Sequence, residues 1–246
     1  MDEKNNAEPF FSIITVCFNS ESTIKNTLNS ILNQSFSNFE YIIIDGVSKD
    51  NTLKIVNEYI PFFKKKNISV TLISENDTGI YNAMNKGIQL ARGKYIGLLN
   101  SDDCYKIDCL KDTYYEVTNN RGYDVYHGIC EFINEGKVTM YRGSSSDKLD
   151  IGMIEHPACF ISKNAYQTFG LYDERYRFVA DYDLLLRFRK DGARFFLMDK
   201  ILVSFDENGA GNSRISRKEA LLLRKRYGLS VGFKYIFDYI KFFIKG

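Results

Sequence analysis

Two adjacent carboxylates follow an apolar run in the segment YIGLLNSDDCY, residues 95–105. Asp102 and Asp103 repel each other and are costly to remove from water, so we expect a cation in front of them. Mg²⁺ and Mn²⁺ take oxygen ligands, often one or two carboxylates together with substrate phosphates. The pair therefore predicts a divalent metal site at which the charge of a diphosphate could be neutralised.

The elements that must position this pair alternate along the first hundred residues. The pattern predicts strands at 11–18, 39–45, 68–74 and 94–99, separated by helices at 21–34, 50–60 and 79–91. Strands that are apolar throughout and separated by helices indicate a parallel sheet covered on both faces. Ligands of such sheets bind beyond the carboxyl ends of the strands. Because Asn19, Asp45 and the acid pair all follow strand ends, we expect them to share one cleft.

The segment DGVSKDNT, residues 45–52, allows a second interpretation of its acids. Asp and Ser residues at such spacing also form turns and cap helices without binding any ligand. Turn formation therefore remains an alternative for Asp45, and capping of the following helix is the favoured role of Asp50.

The pattern changes from about residue 121. Residues 123–134 and 137–143 predict a hairpin, a helix follows near Leu184, and 193–206 is strand-like. No repeat or low-complexity linker separates the halves. We expect one domain over 1–246, with a first half at 10–120, a second half at 121–205, and a flexible loop with C-terminal helices at 206–246.

Composition excludes several classes of protein. The 246 residues are 44% apolar and 26% charged, an ordinary globular balance, and a net charge of +2 does not favour nucleic acid as a partner. The five cysteines show no metal-binding spacing, which suits a reducing compartment. The polar start MDEKNNAEPF is no signal peptide, and no apolar run approaches the ~20 residues that span a bilayer. These features predict a cytoplasmic protein.

Two long segments, 12–52 and 77–103, resemble family 2 glycosyltransferases. That resemblance implies the α/β fold called GT-A and inverting sugar transfer from a nucleotide donor, usually a UDP-sugar. It implies that Asp45 binds the nucleotide base and that Asp77, with Lys86 near by, contacts the nucleotide. Asp102 and Asp103 match the family's D-x-D motif, although Asn100 stands in place of its first acid. The match implies that Asp103 holds Mn²⁺ or Mg²⁺ and that Asp102 contacts the metal or the ribose.

Inverting transfer also needs a base that removes a proton from the acceptor hydroxyl. Asp181 opens the predicted helix DYDLLLRFRK, and a helix N-terminus favours an ionised carboxylate by ~0.3–1 kcal/mol. The residue resembles the Asp of the family's Glu-Asp motif, with Ala180 in place of the Glu, which implies that it is the base. The alternative is that Asp181 or Asp183 only caps the helix.

Two further sites come from the second half of the chain. The resemblance implies that His156, in EHPACF, meets the diphosphate or the metal, although a lone His is more often structural; His127 is interpreted as structural. The segment DENGAGNSRISRK, residues 206–218, combines glycines with cations such as Arg214. It suits a loop that closes over a diphosphate, and a plain surface loop is the alternative.

The tail VGFKYIFDYIKFFIK, residues 231–245, carries ten large apolar residues with its cations on one helical stripe. It either packs on the domain or lies in a membrane interface, and the cations of 224–226 favour contact with anionic lipid. We therefore expect an inverting, metal-dependent glycosyltransferase, peripheral at the inner membrane face, acting on a lipid-linked glycan. The rival functions are a nucleotidyltransferase, which would normally have an early Gly-rich phosphate loop, and a non-catalytic sugar- or nucleotide-binding subunit.

Overall fold

The computed structural model describes residues 8–206 and 214–229, apart from the side chain of Arg214. Its strands are β1 Phe11–Cys17, β2 Phe39–Asp45, β3 Ser69–Ser74, β4 Tyr95–Leu98, β5 Cys104–Tyr105, β6 Val125–Asn134, β7 Lys137–Arg142, β8 Cys159–Ser162 and β9 Phe195–Asp206. Its helices are α1 Ile24–Leu32, α2 Thr52–Lys65, α3 Ile80–Leu90, α4 Cys109–Asn119, α5 Lys163–Phe169, α6 Ala180–Lys190 and α7 Arg214–Arg226, with short 3₁₀ turns at Ser146–Asp150 and His156–Ala158.

In the described part of the chain, nine strands form one sheet in the order β3-β2-β1-β4-β8-β6-β9-β5, with β7 paired to β6. The first four strands are parallel, as the alternating pattern predicts. β8 then runs antiparallel to both β4 and β6, and β6 is parallel to β9. The sheet therefore continues from the first half of the chain into the second, and the fold is the expected mixed α/β type.

Both faces of β1 and β2 are buried, which explains why their sequences are largely apolar, whereas the edge strand β3 is partly exposed. Residues on one face of β1 and β2, such as Ile14 and Ile42, pack with α3 and α6. Residues on the other face, such as Ile13 and Ile43, pack with α1 and α2. Successive side chains of a strand point to opposite faces, so each strand contributes to both layers of the core.

Helix α2 is longer than the pattern predicts. The expected end was residue 60, yet the helix continues through Pro61 to Lys65. The ring of Phe63 is fully buried and lies 5.2 Å from that of Tyr41, centroid to centroid. Packing of this last turn on the sheet outweighs the hydrogen bond that proline removes from a helix interior.

Helix α7 corrects two expectations about the C-terminal region. Residues 214–218 form its first turns, so the predicted loop at 206–218 is wrong for that part, and 207–213 lie outside the described residues. Arg224 is 2% exposed; its guanidinium donates to the hydroxyl of Tyr182 at 3.0 Å and to the carbonyl of Asp150 at 2.6 Å. The expectation that Arg224 faces lipid is therefore wrong, because α7 is docked through this side chain.

The tail at 231–245 lies outside the described residues, so both interpretations of it stay predictions. Among the helices within 8–206 and 214–229, none is long and apolar enough to cross a membrane.

Candidate active site

The turn after β2 is built around Asp45, which is fully buried. The carboxylate accepts hydrogen bonds from the amide and hydroxyl of Ser48, at 3.1 and 2.5 Å to its nearer oxygens, and from the hydroxyl of Ser74 at 2.6 Å. Asp45 thus organises the turn, as the alternative interpretation of DGVSKDNT allowed. Asp50 accepts from the first amide of α2, at Thr52, at 3.0 Å, but the N-cap residue is Asn51, so Asp50 bonds the helix start without being its cap.

Asp77 lies directly against the Asp45 turn. A Cβ atom added to Gly46 would stand 2.6 Å from Oδ2 of Asp77 and 3.3 Å from the ring of Phe18, so a larger residue here would displace the Asp77 carboxylate. Phe18 is 61% exposed at the end of β1. An exposed aromatic ring between two polar turns is suited to stacking on a flat heterocycle. Sequence analysis missed Phe18, and the signal was an aromatic residue that ends an otherwise buried strand.

Hydrogen bonds tie the end of β1 to the turn after β2 and to the loop after β4. Asn19, whose φ is 50°, accepts from the amide of Lys49 at 2.8 Å, and its own amide donates to the hydroxyl of Ser48 at 2.9 Å. The hydroxyls of Ser20 and Ser101 are 2.8 Å apart. The predicted cleft residues Asn19, Asp45 and the acid pair therefore meet at one edge of the sheet.

The acid pair occupies two different environments. Asp103 is 1% exposed, and burial, followed by the charge of Asp102, raises its pKa well above the usual range. The hydrogen bonds that the Asp103 carboxylate accepts are long: the side-chain amide of Asn100 and the backbone amide of Asp206 both donate at 3.4 Å. Asp102 is half-buried, and burial also raises its pKa. Asp206 at the end of β9 was missed, since no local pattern places it beside residue 103.

The chemistry of this donor set fits a hard divalent cation. A buried carboxylate with long hydrogen bonds and a second carboxylate beside it is stabilised by a positive charge. No group of three His, Cys, Asp or Glu side chains able to hold a metal occurs within the described ranges. Asp103 and Asp102 would therefore hold such an ion together with ligands from a diphosphate and water, the usual arrangement for Mg²⁺.

Asp181 lies in the first turn of α6 and is hydrogen-bonded by Tyr81, which follows the carboxyl edge of the parallel strands. Its Oδ1 accepts from the hydroxyl of Tyr81 at 3.1 Å and from the amide of Tyr182 at 2.8 Å. Tyr81 follows the Asp77 turn by four residues, which connects the sheet edge to α6. Asp183, in contrast, is buried and bonded to Tyr227 at 3.0 Å and to Arg187 at 3.4 Å, so it holds α6 to its neighbours.

The ionisation of Asp181 differs from the expectation. The helix N-terminus was expected to favour the charged form, but burial is the larger effect and raises the pKa of Asp181 to about 6. Hydrogen bonds from Tyr182 and Tyr81 oppose that rise. A carboxylate with this pKa is still mostly ionised at pH 7 and accepts a proton more readily than an ordinary Asp, as a general base requires.

His156 lies in the second 3₁₀ turn and is 5% exposed. Its Nε2 is hydrogen-bonded to the hydroxyl of Tyr172, and burial lowers the pKa of the ring to about 4. Through Tyr172, His156 supports an aromatic layer that includes Tyr81, and its predicted contact with a diphosphate or metal stays a prediction. His127 is fully buried in β6, where a structural role was expected.

Two further predicted site residues are the cations Lys86 and Arg214. The ammonium group of Lys86 bonds the carbonyl of Asn76 and the carboxylate of Glu75, both at 2.8 Å. It therefore braces the loop that leads to Asp77. Arg214 begins α7, and its side chain lies outside the description.

Two cavities mark opposite edges of the sheet. One of about 310 Å³ lies beside Tyr81, between residues 78–82 and the loop 174–177, and is lined by Arg175 and Arg177. A larger one, about 430 Å³, lies at the amino ends of the strands near Lys94 and Lys163. Because the candidate site residues lie at the carboxyl ends of the strands, the smaller cavity is the one near the candidate active site.

The fold agrees with comparisons to known proteins. Residues 12–181 match glycosyl transferase family 2. A PGL/p-HBAD biosynthesis glycosyltransferase of Mycobacterium tuberculosis is 31% identical over 223 residues, covering 87% of this chain and 84% of that protein. A hyaluronan synthase of Pasteurella multocida is 27% identical over 81% of this chain, which corresponds to 21% of that enzyme.

Solved structures show the same fold at low identity. S. aureus TarS 1-349 in complex with UDP-GlcNAc has a TM-score of 0.69 at 20% identity, over 87% of this chain and 65% of that one. A mannosyltransferase of Pyrobaculum calidifontis in complex with GDP-Man and Mn²⁺ has a TM-score of 0.68 at 14% identity, over 91% and 65%. This chain thus spans about two thirds of each of these two structures. The family match covers the carboxyl edge of the parallel strands and Asp181. The chain therefore belongs to glycosyltransferase family 2, the enzymes that transfer sugars from nucleotide-sugar donors.

Proposed function

We propose that this protein is an inverting, metal-assisted glycosyltransferase that uses a UDP-sugar and a glycan acceptor. The observation that supports the proposal best is the placement of Asp181. A partly buried carboxylate with a pKa of about 6 begins a helix and is joined through Tyr81 to the edge that carries Asp77 and the acid pair. Transfer by a single displacement needs the donor on one side of the anomeric carbon and a base for the acceptor hydroxyl on the other side.

The roles follow from the positions of the side chains. Phe18 stacks on the base while Asp77 and the Asp45 turn border it, and Asp102 contacts the ribose or the metal. Asp103, together with Asp102, would hold a divalent cation, which would neutralise the charge that develops on the diphosphate leaving group. Asp181 removes the proton from the acceptor hydroxyl as that oxygen attacks the anomeric carbon. The division into a donor half at 10–120 and an acceptor half at 121–205 is part of the same proposal.

The acceptor end of the site is assigned to the 310 Å³ cavity beside Tyr81. Arg175 is exposed and paired with Asp173, and Arg177 is exposed beside it. Guanidinium groups at a cavity rim suit an acceptor that carries phosphate. A glycan on a lipid diphosphate, as in bacterial surface-polysaccharide assembly, has that charge, and we propose it as the acceptor class.

The donor is tested by thermal stabilisation with UDP-, GDP- and dTDP-sugars in the presence of Mn²⁺. We expect a UDP-sugar to raise the melting temperature most, because a ligand at 100 times its Kd stabilises a fold by about 2.7 kcal/mol. For a chain of this size that corresponds to roughly 5–10 °C. Hydrolysis of the same UDP-sugar then separates an enzyme from a non-catalytic binding subunit. Preference for a nucleoside triphosphate, with release of pyrophosphate, would instead indicate a nucleotidyltransferase.

The tail is proposed to bring the enzyme to the membrane that holds a lipid-linked acceptor. Its ten large apolar residues and three lysines are the composition of an interfacial segment. We expect a variant without 231–246 to stay folded, to lose sedimentation with anionic vesicles, and to act on a water-soluble acceptor analogue. Vesicle binding that is equal with and without the tail would contradict this role, and unfolding of the shortened chain would assign the tail to the core.

A further inference from the structure

Tyr81 bonds one oxygen of the proposed base, and the geometry of that bond suggests a second function for this residue. The tyrosine hydroxyl and the amide of Tyr182 both donate to Oδ1 of Asp181, at 3.1 and 2.8 Å, and neither uses Oδ2. We infer that Tyr81 is a positioning residue, which holds Asp181 by Oδ1 so that Oδ2 takes the proton of the acceptor hydroxyl. This inference rests on the proposed function, because it needs Asp181 to be the base.

The orientation of Tyr81 is itself fixed by a buried support. Its ring is 6% exposed and stacks on Tyr172, with ring centroids 5.4 Å apart and planes inclined by 28°. Tyr172 is clamped to the same helix by Asn85, whose side chain accepts from the Tyr172 amide and donates to its carbonyl, both at 3.0 Å. His156 bonds the Tyr172 hydroxyl from the other side. The Tyr81 hydroxyl is therefore presented to Asp181 at little further cost in conformational entropy.

The other titratable groups around Asp181 act differently from Tyr81. Glu155, which is paired with Arg142 through a 2.7 Å hydrogen bond, raises the pKa of Asp181 by its negative charge. Burial raises the pKa of Tyr172 and of the Cys159 thiol, so both remain neutral. The hydrogen bond of Tyr81 lowers the pKa of Asp181, because it stabilises the carboxylate form. Removal of this one hydroxyl therefore has a predictable sign.

The test is Tyr81→Phe, which keeps the ring and its stack and removes the donor. In the wild type, kcat/KM should fall tenfold for each pH unit below about 6, where Asp181 becomes protonated. In Tyr81→Phe we expect this acidic limb to move up by about one pH unit, the usual scale for a lost hydrogen bond to a charged group. At pH 7 kcat should fall by about tenfold, with KM for the UDP-sugar unchanged. Tyr81→Met also lacks the donor and should show the same shift if the Phe variant folds poorly.

Tyr126→Phe is the matched control. Tyr126 is also fully buried, and its hydroxyl donates to the carbonyl of Asn120, away from the site. This variant should lose stability without moving the acidic limb. An unmoved limb in both Tyr81 variants, while Asp181→Asn is inactive, would overturn the positioning role alone. An active Asp181→Asn variant would instead overturn the proposed base and, with it, the proposed function of the site.

Discussion

Replacement of Asp181 by Asn is expected to lower kcat by about 10² or more, the scale of general-base loss, while UDP binding is retained. The substitution keeps an oxygen that accepts from Tyr81 and from the amide of Tyr182, so the local geometry survives. What it removes is the group that takes the proton. Single-turnover transfer and UDP titration on the same preparation measure the two effects separately, and loss of UDP binding would show that the residue is structural.

The same variant should be more stable than the wild type at pH 7. The folded-state pKa of Asp181 is about 6, against an ordinary value of 3.8, so folding favours the neutral form. The stability contributed by neutral Asp181 is fully present below about pH 4 and is lost as the pH rises through 6. Asparagine is neutral at every pH, and its advantage at pH 7 is at most about 3 kcal/mol.

Thermal unfolding of both proteins between pH 4 and 8 checks this sign. The two melting temperatures should separate as the pH rises through 6 and converge towards pH 4. Asp183→Asn is the matched control, because that carboxylate is buried in the same helix and bonded to Tyr227 and Arg187. Its loss should destabilise the fold at pH 7. A similar loss of stability in Asp181→Asn would mean that the ionised Asp181 carboxylate stabilises the fold, which would contradict the expected sign.

Replacement of Asp103 by Asn should lower the rate of transfer by about 10³ or more, because it removes the buried carboxylate that would bind the metal. EDTA should abolish the transfer activity of the wild type, and added Mn²⁺ or Mg²⁺ should restore that activity. Binding of Mn²⁺ in the presence of UDP, followed by electron paramagnetic resonance, should be lost in the variant. Asp102→Asn should be milder, because that side chain is half-buried and shares the site.

Asp112→Asn is the control for this experiment, since it removes a carboxylate from the first turn of α4 without touching the acid pair. Its transfer rate and its Mn²⁺ binding should equal those of the wild type. Full activity of the wild-type enzyme in EDTA would exclude the metal role of Asp103.

Local sequence patterns predicted the parallel half of the fold well. The predicted and observed bounds of β2 are both 39–45, and all seven residues of the strand are buried. A strand buried on both faces is a nearly continuous apolar run, which is easy to recognise in a sequence. The acid pair was predicted as a site for a related reason, since carboxylates that directly follow a buried strand must lie at its carboxyl end. Residues close in sequence carried both conclusions.

Contacts between distant residues could not be predicted in this way. Tyr81 and Asp181 are 100 residues apart, and Asp103 and Asp206 are 103 apart, so no periodicity connects either pair. The rise in the pKa of Asp181 depends on burial by several elements, which exceeded the helix effect that the sequence alone suggested. Arg224 belongs to a basic triplet that looks exposed, and it is buried only because α7 docks against Tyr182.

That docking has a consequence for the order in which the chain matures on the ribosome. The helix that carries Asp181 has its side chains Tyr182 and Asp183 bonded by Arg224 and Tyr227, which are synthesised more than forty residues later. A nascent chain that has emerged to residue 206 already contains every strand of the described sheet, yet it lacks these partners. We therefore expect the parallel edge of the sheet to form during translation and α6 to settle after it, when α7 emerges. A shortened chain must extend at least to residue 227 to keep both of these bonds to α6.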